Sequence, residues 1–134
     1  MTKVVARSIA EPDTKTLQIE VLAIEARLGT LRIEVCELGG SRRLEVRFAA
    51  TEAFRVMHER DLGDYWPTCS TPNGWIFEVT AGGWLSQEFE RPDSLVAKIH
   101  SELQEFLIAG VEDCVSILSL AAPEVRVLNL ANEA

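Results

Sequence analysis

The stretch LRIEVCELGGSRRLEVRF, residues 31–48, decides the fold. Leu31, Ile33 and Val35 alternate with Arg32 and Glu34; Leu44, Val46 and Phe48 alternate with Glu45 and Arg47. A period of two sends the apolar set to one face of a strand and the charged set to the other. Gly39-Gly40-Ser41 lies between the two runs, and glycine reaches the positive-φ conformations that a hairpin turn needs. Towards the N-terminus, LQIEVLAIEARL at 17–28 reads as a further strand, joined to the first through Gly29-Thr30. Its apolar residues change phase, from Leu17, Ile19 and Val21 to Leu22, Ile24, Ala26 and Leu28. That switch predicts a bulge, or a strand covered on both faces. Three strands joined this briefly form an antiparallel meander.

Towards the C-terminus the pattern changes. Ala53, Phe54 and Met57 form an apolar stripe that predicts a short helix from about Thr51, closed by a loop over 61–67. WIFEV at 75–79 reads as a strand with Trp75, Phe77 and Val79 on one face, and CVSILSL at 114–120 as a buried one. Residues 84–89 fit helix or strand. The run PDSLVAKIHSELQEFLIAG predicts an amphipathic helix capped by Asp93 or Ser94 and ended by Gly110. Within it, 104–109 also has strand propensity, so that stretch stays open between helix and strand. The expected fold class is α+β: a single domain over 1–134, with an antiparallel meander sheet packed against one or two helices.

The chain has 134 residues, 21 acidic and 13 basic, for a net charge of -8. Such a balance argues against nucleic-acid binding, which needs a dense basic surface. No stretch is long and apolar enough to suggest a membrane span, and the first fifteen residues lack the apolar run of a secretory signal. Cys36, Cys69 and Cys114 are widely spaced, without a CxxC pair, and read as free thiols of a cytoplasmic protein. No phosphate loop, dinucleotide fingerprint or metal-ligand spacing occurs, so neither a cofactor nor a metal is expected. The acidity is uneven: residues 1–67 hold 11 acids and 10 bases, residues 68–134 hold 10 acids and 3 bases. An acidic surface of that kind steers a basic partner.

Tyr65, Trp66, Trp75 and Trp84 gather all the tyrosine and tryptophan of the chain within twenty residues. Aromatic side chains serve as rigid contact anchors, and equally as core filling in a small domain. The expectation for function is a non-enzymatic interaction protein, of inhibitor or immunity type, with Tyr65, Trp66, Trp84, Glu88 and Glu90 on its contact surface. Its partner would be a basic protein or a second copy of the chain. The alternative is a small hydrolase or ligand-binding domain built on His58, Asp61 and Asp64, whose spacing would bring carboxylates and an imidazole together on a helix. His58-Glu59-Arg60-Asp61 matches neither HExxH nor an EF-hand loop, and such groups also serve as solvated turn residues.

Overall fold

The alternation of residues 17–48 folds as antiparallel strands. A computed structural model describes residues 3–70, 73–93 and 102–128. The chain runs through β1 (Val5–Ser8), β2 (Ile19–Arg27), β3 (Thr30–Glu37) and β4 (Arg43–Phe48). β2 pairs with β3, and its register slips between Val21 and Ala23, which leaves Leu22 unpaired. The phase change in the sequence is this bulge. Next come β5 (Thr51–His58), a single 3-10 turn at Glu59–Asp61, β6 (Ile76–Ala81), the helix α1 (Trp84–Glu90), β7 (Gln104–Ala109), β8 (Asp113–Ser119) and β9 (Glu124–Leu128).

The strands form two antiparallel sheets, one in the order β1-β6-β7-β8-β5 and the other in the order β2-β3-β4-β9. They pack face to face. Leu31, Ile33, Leu44, Val46 and Phe48 of the four-stranded sheet meet Ile76, Phe106, Ile108, Val115 and Ile117 of the five-stranded one. Phe48 and Phe106 join the sheets at the centre, with ring centroids 5.4 Å apart and tilted by 56°. Trp75 belongs to the same core and donates from Nε1 to Thr14 Oγ1 at 3.3 Å.

Two helical expectations are corrected. Residues 51–58 are the edge strand β5, because Phe54 and Val56 alternate with Ala53, Arg55 and Met57 in register with β8. Ala53 and Met57 on the second face hid this alternation, because with Phe54 they give the spacing of a helical stripe. Residues 104–109 are β7, paired on both sides in the middle of the sheet, so tertiary pairing decides what local propensity left open. The remainder of the helix expected there, 94–101, lies outside the described residues. The fold is therefore mainly β: the inner face of the sheet is covered by a second sheet, and a seven-residue helix lies on the other side.

The outer face of the four-stranded sheet is a lattice of charges. Glu45, buried there, accepts from Arg32 and Arg126, and Glu34 pairs with Arg43. Burial raises the carboxyl pKa of Glu45, but the hydrogen bonds from the two arginines outweigh it and hold the group below its ordinary value. That layer is closed upon itself. The candidate functional features lie over the other sheet, the five-stranded one.

Candidate functional site

On that outer face the registers build rows of side chains. Arg55, Ser116, Leu107 and Phe77 lie across β5, β8, β7 and β6 in one row; Leu118, Glu105 and Val79 form the next. The segment 59–70, which connects β5 to β6, crosses over these rows and packs Leu62, Tyr65 and Cys69 against Phe77, Leu107 and Cys114. A second hydrophobic layer thus covers the sheet, with one carboxylate inside it.

Glu105 is 1% exposed. Its Oε2 accepts from the Tyr65 hydroxyl at 3.0 Å, and its Oε1 accepts from the backbone N–H of Leu85 at 2.9 Å. The Tyr65 oxygen in turn accepts from the N–H of Trp84 at 3.0 Å. One carboxylate therefore fixes both the segment 59–70, through Tyr65, and the first turn of α1, where it satisfies the free amide of Leu85. The approach is close. A Cβ on Gly83 would lie 2.7 Å from each oxygen of Glu105 and 2.8 Å from the hydroxyl oxygen of Tyr65, so any larger residue there must displace the hydrogen-bonded pair. Burial pushes the Glu105 carboxyl above its ordinary value against the lowering effect of these hydrogen bonds. Burial and the neighbouring Glu105 likewise drive the Tyr65 phenol well up. The guanidinium of Arg55 lies 4.6 Å from the centre of the Trp84 ring and ties α1 to the sheet edge.

Between the two elements held in this way opens a cleft of about 930 Å³. One wall carries Asp64 and Pro67, the other Ser86, Gln87 and Glu90 of α1; Gly82 and Gly83 border it, and Lys3 contributes a cation. Phe89, next to Glu90, is 49% exposed, as is Trp66, next to Pro67. The Trp66 indole is not loose: its Nε1 donates to the carbonyl of Glu59 at 2.9 Å. It also lines a smaller cavity of about 270 Å³ that reaches Cys69 and Cys114. Burial pushes the Cys69 thiol up to about 12 and the Cys114 thiol up to about 11, so both are neutral thiols near neutral pH and lack the thiolate a nucleophile needs.

Of the residues singled out in the sequence, Trp66 and Glu90 stand at the surface of this region. Tyr65 is interior, and Trp84 and Glu88 are engaged with each other through the indole N–H at 3.3 Å, with Arg91 bridging to Glu88 at 2.9 Å. His58, at the end of β5, accepts the N–H of Arg60 on Nδ1 at 3.2 Å; Asp61 lies in the 3-10 turn, and Asp64 lines the cleft. Among the described residues no hydrogen bond or ion pair joins those three, and no group of His, Cys, Asp and Glu is placed to hold a metal. Glu105, Arg55, Gly83 and Phe89 were missed. The signals were a lone acid inside the apolar run EFLIA, a lone arginine between Phe54 and Val56, and the glycine pair before Trp84. No family model, curated protein or solved structure matches this chain.

Proposed function

We propose that this protein binds another protein, and that the cleft between segment 63–67 and α1 takes a basic, partly apolar segment of it. The observation that carries this reading is a cleft with a carboxylate on each wall, Asp64 and Glu90, whose two walls are held by one buried residue. Walls fixed before binding lower the ordering cost of association. Half-exposed Trp66 and Phe89, each next in sequence to a residue of the cleft, supply rigid aromatic area of the kind that dominates contact energies. The net charge of -8 favours encounter with a cationic surface. In this role the protein masks its partner by occupation, and no step of covalent chemistry is required of it.

The test is a fluorescence titration of the full chain with a peptide of alternating lysine and leucine, and with the same peptide carrying glutamate for lysine. The lysine peptide is expected to shift tryptophan emission, and the D64N/E90Q double variant to weaken binding by about tenfold, or 1.4 kcal/mol. Equal binding of both peptides, or an unchanged affinity in the double variant, would sink the proposal.

A further inference from the structure

Sheet edges expose unpaired backbone donors and acceptors, and proteins that stay monomeric blunt them with bulges, charges or short length. Among the described residues, three of the four sheet edges are blunted. β1 has four residues and a register shift between Val5 and Ala6. β2 is broken by its bulge at Leu22 and carries Glu25 and Arg27. β9 has five residues, with Glu124 and Arg126 among them. β5 differs. Its bulge, at Glu52, lies near the start of the strand, and from Ala53 to His58 it runs in unbroken register with β8. Along that stretch Phe54 is 37% and Val56 51% exposed. Both continue rows of the inner core, since Phe54 lies opposite Ile117 and Val56 opposite Val115. The core therefore runs out to an open edge with apolar side chains still on it.

We propose that the chain forms a two-fold homodimer by antiparallel pairing of β5 with β5 of a second copy, with the axis at Arg55. This rests on a different part of the molecule from the cleft and does not depend on it. The register makes the edge complementary to itself. Phe54 lies opposite Val56 of the partner subunit, and Ala53 opposite Met57 of the partner subunit. A strand paired antiparallel to its own copy repeats each of these pairs twice, as an isologous interface requires. Arg55, which would face its own copy across the axis, leans inward instead: its guanidinium is held at Trp84 and faces Glu105, two strands into the sheet.

Sedimentation of the full chain from micromolar to hundreds of micromolar concentration tests this. A mass that doubles with concentration is expected. Val56→Lys, at a half-exposed site that leaves the fold intact, is expected to weaken association at least about tenfold. Val127→Lys, at an equally accessible valine on β9, is expected to leave it unchanged. Register is read by mild oxidation in a C36S background. Phe54→Cys mixed with Val56→Cys should cross-link, whereas Val56→Cys alone should not. A chain that stays monomeric, a Val56→Lys variant that associates like the parent or no worse than Val127→Lys, or self-cross-linking of Val56→Cys overturns the proposal.

Discussion

Glu105 is the residue on which most depends, because it accepts from both the buried Tyr65 hydroxyl and the backbone N–H of Leu85. Truncation to alanine strands the Leu85 amide and the Tyr65 hydroxyl in an apolar layer, where each unsatisfied group costs about 1–3 kcal/mol. Glu105→Ala is thus expected to lose at least about 2 kcal/mol in urea unfolding and to loosen both walls of the cleft. The pH dependence has a definite sign. A carboxyl whose folded pKa is raised by burial stabilises the fold fully below its unfolded pKa, about 4.3, and loses that contribution as pH rises through the folded value. Glu105→Gln removes the titration but keeps an acceptor. Unfolding free energies at about pH 4 and about pH 7 should therefore favour the parent relative to Glu105→Gln more at the lower pH. The same offset at both values would mean that the carboxyl is not held above its unfolded pKa.

At the scale of elements, the bulge in β2 separates what a strand needs from what it tolerates. Leu22 is the residue without a partner, and every residue from Ala23 to Arg27 is paired as if it were not there. Deletion of Leu22 is expected to keep the fold, within about 1 kcal/mol by urea unfolding. Deletion of Ile33, in the regularly paired β3, shifts one half of a central strand to the wrong face and is expected to abolish folding. A large loss in the Leu22 deletion would show that the bulge is needed for folding itself. The bulge was legible in the sequence because apolar alternation on a one-sided sheet records the facing of each residue, including where it slips. β3 and β4 were legible for the same reason, and β6 and β8 as short apolar runs, although Trp75, expected on the face of Phe77 and Val79, packs with Ile76 in the inner core. β5 was not legible, because Ala53 and Met57 put apolar residues in the second phase and read as a helical stripe. β7 stayed open because its apolar run is covered on both faces. On the outer face of each, a charge, Arg55 or Glu105, interrupts the apolar set. Those two interruptions are also the contacts that hold α1 and Tyr65 in place.

For the molecule as a whole, the split of charge along the chain does not become a split in space. Strands from both halves share each sheet, and ions cross between halves: Arg7 bridges Glu78 at 2.6 Å, and Arg126 bridges Glu45 at 2.9 Å. The division that does persist is between the two faces of the five-stranded sheet. Its inner face carries Phe106 against Phe48, wholly enclosed, and its outer face carries the layer from which Phe89 and Trp66 emerge. Stability and binding should separate along this line. Phe106→Ala opens a cavity between the sheets and is expected to cost about 3–5 kcal/mol, with the affinity of the remaining folded protein for the lysine-leucine peptide little changed. Phe89→Ala removes a side chain that is half in water, so stability should stay within about 0.5 kcal/mol while the peptide binds several-fold more weakly. Paired measurements of urea unfolding and peptide titration on these two variants decide the matter. If Phe89→Ala costs as much stability as Phe106→Ala, the outer layer is a second core and the exposed aromatics are part of its packing. If it costs little and affinity falls, the two faces carry separate tasks, the inner one setting the fold and the outer one holding a binding surface in place.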